Sequence, residues 1–283
     1  MKNLSDINVI RSVMGRHGVT FNKGLGQNFL VDPSVCPAMA EAAGLDENTC
    51  AIEIGPGVGV LTAELAKKAG KVLSFEVDER LLPVLDETLA EFNNIEIIHQ
   101  DVMKADLKAI IEEKCKGMDI AVCANLPYYI TSPIIMLLLE SRLPIKSITV
   151  MVQKEAADRL CAEVGSRDGG AVTVAVNYYA QSEMLFYVPR DSFLPPPKVN
   201  SEVIQLTVRE NPPVQVKNEV AFFKVVKAAF SQRRKIAENS ISSGLGIPKA
   251  TVAQALQQAG LERTVRAEKL TMEDFATLSE ILL

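Results

Sequence analysis

The run Asn125-Leu126-Pro127-Tyr128 follows the apolar stretch DIAVC and sets an amide, a rigid turn and an aromatic face where a core strand would end. In an open α/β sheet that is where the ligand crevice begins. Such a set suits an exocyclic amine on a purine, a poor nucleophile because its lone pair is delocalised into the ring. Acceptors on both amine hydrogens favour the pyramidal nitrogen that in-line attack on a methyl sulfonium requires. Asn125 Oδ1 and the Leu126 backbone carbonyl are the candidates, and Pro127 fixes the turn on which they converge. The Tyr128 ring offers a stacking face worth about 1–3 kcal/mol to a base. No strong general base is needed, since the attacking nitrogen turns acidic as its lone pair is used. Orientation and electrostatics then supply the catalysis.

A second cluster precedes this one. EIGPGVG, residues 53–59, places Gly55, Gly57 and Gly59 where the backbone must turn sharply and approach a ligand without Cβ clashes. Glu76 closes the next β-rich run, where a carboxylate can hold ribose hydroxyls, and Asp101 closes the third. Glycines and two carboxylates at three strand ends indicate an adenosine-containing cofactor. A nicotinamide dinucleotide fits a glycine turn followed by an acid. The G-x-G-x-G spacing, with valine where a dinucleotide fingerprint has its last glycine, favours S-adenosylmethionine. Asp101 in addition stands where it can accept from an adenine amino group.

These residues need a scaffold, and the chain alternates short β-rich runs with helical stretches from residue 49 onward. CAIEIG, KVLSFEVD, IEIIHQD, DIAVCANLP and SITVMVQ read as strands, and VLTAELAKKAG, ERLLPVLDETLAEF, LKAIIEEKCKG, SPIIMLLLES and KEAADRLCAE as helices. Two further β-rich runs, AVTVAVNYYA and EMLFYVP, suggest an antiparallel edge. FLPPPKVNS cannot hold regular structure, and EVIQLTV closes the sheet. The expected fold is α/β, a mostly parallel, doubly wound, Rossmann-like domain over 1–208. A smaller all-α domain of four helical stretches, among them EVAFFKVVKAAFSQ and RRKIAENSIS, covers 209–283.

Composition bounds the class. The 283 residues are 48% hydrophobic and 23% charged, ordinary for a globular protein. The longest apolar stretch, PIIMLLLE, falls short of the roughly 20 residues of a membrane span. The beginning, MKNLSDINVIRS, lacks the apolar core of an export signal. Cys36, Cys50, Cys115, Cys123 and Cys161 show no paired C-x-x-C spacing and read as reduced thiols of a cytoplasmic protein that binds no metal. The net charge of −5 is unevenly spread: residues 1–207 carry 19 Lys/Arg against 27 Asp/Glu, and residues 208–283 carry 11 against 8. Arg233, Arg234 and Lys235 stand together in the second part. Screening confines each charge's reach to about 10 Å, so a local basic stretch can contact phosphates on an acidic protein. A solvated helix face is the plainer alternative.

GQNFLVD, EIGPGVGVLT, EVD, QDV, NLPYYITSPI, MVQKEAADRL, FLPPPKVNSEV, FSQRRKIAENS and RAEKLTMEDFATL together resemble the bacterial small-subunit rRNA adenine dimethyltransferases, the KsgA/RsmA family, from about residue 10 to the C-terminus. The resemblance implies transfer of methyl groups from S-adenosylmethionine to N6 of two adjacent adenosines near the 3′ end of small-subunit rRNA. By that resemblance Asn28, Leu30, Gly55 and Gly57 line the cofactor site. Glu76 holds the ribose, Asp101 the adenine amino group, and Asn125 both the cofactor edge and the target amine. Phe193 would cover the target base opposite Tyr128. Arg233, Arg234, Lys235 and Lys198 would contact RNA phosphates, with Arg11, Arg16 and Lys23 as additions, and a monomer suffices. Gly169 departs from the aromatic residue many relatives carry there. His99 reads as a strand-end histidine with one local hydrogen bond, and His17 as a loop residue.

Rival readings remain. A large-subunit rRNA adenine methyltransferase of the macrolide-resistance kind usually has isoleucine at the position of Leu126. A DNA adenine methyltransferase typically has an acid at the position of Asn125. A non-catalytic ribosome-assembly factor would keep the RNA surface without needing the pocket, and a nicotinamide-dependent oxidoreductase has no use for the tetrapeptide.

Overall fold

The computed structural model describes residues 4–20 and 28–283. Its strands are β1 (Phe29–Leu30), β2 (Thr49–Ile54), β3 (Lys71–Glu76), β4 (Ile95–His99), β5 (Asp119–Asn125), β6 (Ile145–Gln153), β7 (Ala180–Val188), β8 (Phe193–Leu194) and β9 (Ser201–Val208). The helices of the first half are α1 (Ile7–Arg16), α2 (Val35–Ala42), α3 (Val60–Ala66), α4 (Leu82–Thr88), α5 (Leu107–Lys114), α6 (Thr131–Glu140) and α7 (Lys154–Leu160). There follow α8 (Ala171–Tyr179), α9 (Glu219–Ala229), α10 (Ala237–Leu245), α11 (Lys249–Gln258) and α12 (Met272–Leu282).

A seven-stranded sheet runs β4-β3-β2-β5-β6-β9-β7. Strands β2 to β6 pair in parallel and β9 joins β6 antiparallel, with Ser147 opposite Thr207 and Gln153 opposite Ser201. Every residue of β2 is buried, as expected of a parallel strand covered on both faces. The chain winds outward from β2 through β3 to β4, then returns to lay β5 on the other side of β2. The strand order therefore reverses between β2 and β5, and the crevice opens at their carboxyl ends. The glycine turn leaves β2 and the Asn125 tetrapeptide leaves β5, so topology alone makes them neighbours. The end of α3 is tied down by Asn94, whose Nδ2 donates to the Ala66 and Ala69 carbonyls at 2.9 Å, two groups that would otherwise lack helical partners.

The chain divides into two compact units, Met1–Ala157 with Glu183–Val208, and Asp158–Ser182 with Arg209–Leu283. The second unit holds α8 to α12 around Phe222, Ile241, Leu256, Leu270 and Phe275, all fully buried. Gly244 lets α10 lie against α9: a Cβ there would stand 2.7 Å from Ala228 Cα.

Three expectations need correction. AVTVAVNYYA is a helix, not a strand. Its β-branched residues favour a strand locally, but packing decides: Tyr178 and Tyr179 lie against Phe222 and Phe223 at ring separations of 5.2 to 5.3 Å. Polar contacts fix its start, for Gly170 N–H donates to Thr173 Oγ1 at 2.9 Å and Thr173 Oγ1 donates to the Arg159 carbonyl at 2.7 Å. RRKIAENSIS is helical only from Ala237, because residues 231–236 form turns in which Lys235 N–H reaches the Gln232 carbonyl at 2.9 Å. His99 ends β4 exposed, and its ring makes no hydrogen bond among the described residues.

Candidate active site

A cavity of about 520 Å³ opens at the strand ends of the first unit, within the size range of small-molecule sites. Asn28, Leu30, Gly55, Gly57, Glu76, Asp101, Asn125, Leu126, Pro127 and Tyr128 all border it. The structure thus gathers residues from five separate stretches of sequence into one wall.

The glycine turn carries φ values of 75°, 61° and 89° at Gly55, Gly57 and Gly59, a region that side chains disfavour. At Gly57 space is closed as well: a Cβ would come within 3.1 Å of the Phe29 ring, which itself borders the cavity. Phe29 is held in place by the β1–β8 pairing. Glu76 is 5% exposed, and its Oε1 accepts from Val77 N–H and Asp78 N–H at 2.8 Å each. Burial pushes its carboxyl above the usual range, against those backbone donors. Asp101 both caps the short 3₁₀ turn after β4, accepting from Met103 N–H at 3.0 Å, and borders the cavity.

Asn125 ends β5 half-buried, and its side-chain amide has no partner among the described residues. Leu126 N–H donates to the Met151 carbonyl at 3.2 Å, which anchors the peptide, while no described residue donates to the Leu126 carbonyl. Pro127 closes a turn through Ile130 N–H, which donates to its carbonyl at 3.1 Å, and Thr131 Oγ1 adds a second bond at 3.3 Å. Tyr128 is half-buried, its hydroxyl 2.6 Å from Ser201 Oγ at the first residue of β9. One end of the ring is therefore fixed, and burial raises its pKa.

Not every expected residue comes to the cavity. Phe193 is 3% exposed and sits in the apolar cluster of Leu30, Met39, Leu65 and Val203. Its backbone pairs antiparallel with that of Leu30, and it is not among the residues that border the cavity. Lys198 is exposed, as are Arg233, Arg234 and Lys235, and none of the four has an ion-pair partner among the described residues. Arg16 pairs with Glu87, and His17 shares that carboxylate at 2.9 Å, which occupies the basic charge at the end of α1. Lys23 lies outside the described residues.

Sequence reasoning missed Ser201 and Glu53. Ser201 stands in an unremarkable NSEV stretch, and only the fold brings it to Tyr128. Glu53, read as part of the glycine motif, is 1% exposed at the cavity wall. Burial raises its pKa to about 7, opposed by a hydrogen bond from Ser74 Oγ. No described helix is long and apolar enough to cross a membrane, and no described group of His, Cys, Asp and Glu could hold a metal ion.

The profile of the ribosomal RNA adenine dimethylase family matches residues 18–283. The chain is 49% identical over 277 residues to the ribosomal RNA small subunit methyltransferase A of Geobacillus thermodenitrificans, covering 96% of this chain and 94% of that one. It is 45% identical to the protein of the same name in Bacillus thuringiensis, across 100% and 98% of the two chains. Among solved structures, a Plasmodium falciparum dimethyladenosine transferase aligns with TM-score 0.73 and 25% identity, over 88% of this chain and 95% of that one. The 23S rRNA methyltransferase ErmE aligns with TM-score 0.67 and 29% identity, over 90% and 99%. With its glycine turn, strand-end acids and amide-bearing tetrapeptide gathered on one cavity, the chain belongs to the ribosomal RNA adenine dimethylase family.

Proposed function

We propose that this protein transfers methyl groups from S-adenosylmethionine to N6 of two adjacent adenosines near the 3′ end of small-subunit rRNA, giving N6,N6-dimethyladenosines during ribosome biogenesis. It acts in the cytoplasm, as a monomer, on rRNA within a ribosomal subunit or its precursor. The observation that carries this reading is the pair of unclaimed acceptors bordering the cavity, the Asn125 amide and the Leu126 carbonyl. Full-length identity of 45 to 49% to small-subunit methyltransferases, against 29% to a large-subunit enzyme, favours the small subunit.

The cavity fits the methyl donor. Gly57 leaves a cradle that a Cβ would fill against Phe29, Glu76 presents a buried carboxylate for ribose hydroxyls, and Asp101 an acceptor for the adenine amino group. When bound, the donor supplies an electrophilic methyl on a sulfonium. This chain's residues do the rest by placement. Asn125 Oδ1 and the Leu126 carbonyl accept the two amine hydrogens and orient the nitrogen lone pair. The Tyr128 ring, anchored through Ser201, supports one face of the base. The target base must leave its stack to reach the cavity, which is least costly in a loop. Acceptors already in place need no reorganisation during transfer, the condition under which electrostatic stabilisation is strongest.

Residues 1–208 form the methyltransferase domain in this reading and 209–283 the RNA-binding part, with Arg233, Arg234, Lys235 and Lys198 as phosphate contacts. The test supplies methyl-labelled donor to small and large subunits lacking the modification and digests the RNA to nucleosides. Label in N6,N6-dimethyladenosine of the small subunit is expected. Label in large-subunit RNA alone would make the protein a resistance-type enzyme, and binding without label an assembly factor.

A further inference from the structure

Tyr128 and Tyr129 are adjacent in sequence and border the same cavity, yet they are held in opposite ways. Tyr128 is half-buried and tethered to Ser201, whereas Tyr129 is 59% exposed, the most exposed aromatic side chain among the described residues. No described residue hydrogen-bonds its hydroxyl or stacks on its ring. The backbone beneath it is nonetheless fixed, because the Pro127 carbonyl accepts from both Ile130 N–H and Thr131 Oγ1, and Ile130 in turn accepts from Ile134 N–H at 3.0 Å. A rigid turn therefore presents a free ring face at the mouth of the cavity.

The chemistry of base flipping says what such a face is for. Extruding one nucleotide leaves its neighbour with an unstacked face, and an aromatic ring replaces that contact for any base, since every base has a π-face. We propose that Tyr129 is a stacking platform for the single-stranded RNA base adjoining the one in the cavity, a positioning residue that keeps the next base at the entrance. The proposal rests on the functional reading above, in which the two target bases are neighbours. Tyr129 then shapes how the RNA is held and whether the second base follows the first without release.

The chain contains no tryptophan, so Tyr129→Trp creates a single fluorescent reporter at this spot. Titration of that variant with a short single-stranded RNA bearing two adjacent adenosines is expected to quench the emission. The same RNA with one adenine replaced by an abasic site should quench several-fold less. In parallel, Tyr129→Ala is expected to raise KM for unmodified small subunits about tenfold, the loss of one base–aromatic stack. It should also release more singly modified RNA, with affinity for S-adenosylmethionine unchanged and Tyr129→Phe restoring KM. Wild-type KM and product pattern in Tyr129→Ala, or quenching indifferent to the abasic site, would overturn the proposal while leaving the methyltransferase reading intact. Base-dependent quenching in a protein whose wild-type form makes no dimethyladenosine would overturn that reading and still support the platform.

Discussion

The strand-end cavity of the first unit and the basic turn of the second present their polar groups in opposite ways. At the cavity, several of the groups that border it are fixed by a neighbour: Leu126 by Met151, Tyr128 by Ser201, Glu76 by two backbone N–H groups. Around Arg233, Arg234 and Lys235 the side chains are exposed and without ion-pair partners among the described residues. Fixed, partly desolvated groups select one chemical pattern, while exposed surface cations respond to the density of negative charge. Under the proposed function, specificity for an amine and affinity for a polyanion rest on separate parts of the chain, and substitutions should separate them.

The largest effect expected on stability concerns the buried floor of the first region. Glu53 has a folded pKa of about 7 against 4.5 when solvated, because burial disfavours its charge. The neutral form is the one the fold accepts. Its contribution is therefore present in full below about pH 4.5, falls as pH rises, and is gone above about 7. Glu53→Gln removes that dependence. Urea unfolding of both proteins should show the variant gaining on the order of 3 kcal/mol relative to wild type between pH 4.5 and 8. A constant gap across that range would show that Glu53 is charged at no cost.

Next in size is Tyr128→Ala, expected to lower kcat/KM for rRNA by about 1–3 kcal/mol, the value of a lost base stack. Tyr128→Phe should keep most of the activity, and Ser201→Ala should lose only a few-fold, since it frees the ring without removing it. Equal damage from Phe and Ala would make the hydroxyl, not the face, the important part. Smaller again is the paired change Arg233→Ala with Arg234→Ala. Subunit affinity should fall about tenfold at physiological salt, and the slope of log affinity against log salt should flatten by about 2. The product and kcat should stay as in wild type. A change in which nucleoside is made would break the separation of the two regions.

Much of this layout was legible in the sequence, and the failures have a common cause. The strands β2 to β5 are short β-rich runs between helical stretches, and the reversal of strand order makes their ends converge, so Asn125 could be set beside the glycine turn before any coordinates. What was not legible depends on distant pairing. Phe193 sits in FLPPPKVNS, a segment that looks like an exposed loop, and its burial is seen only where its strand pairs with Phe29–Leu30. AVTVAVNYYA has strand-like residues, and only the Phe222 and Phe223 rings across from Tyr178 and Tyr179 make it a helix. Ser201 carries no motif, and its role appears only where β9 comes beside β6.

The central claim is that an acceptor oxygen on residue 125 holds the exocyclic amine for attack. Its most direct test is the single-turnover rate of methyl transfer in Asn125→Asp and Asn125→Leu, with donor affinity measured alongside. Aspartate keeps an oxygen in the place of Oδ1 and leucine keeps only the volume. The account predicts transfer within about tenfold of wild type for aspartate and a loss of about 10²–10³ for leucine, as when one preorganised hydrogen-bonding group is removed from an active site. Transfer at the wild-type rate in Asn125→Leu, with the donor bound, would contradict it.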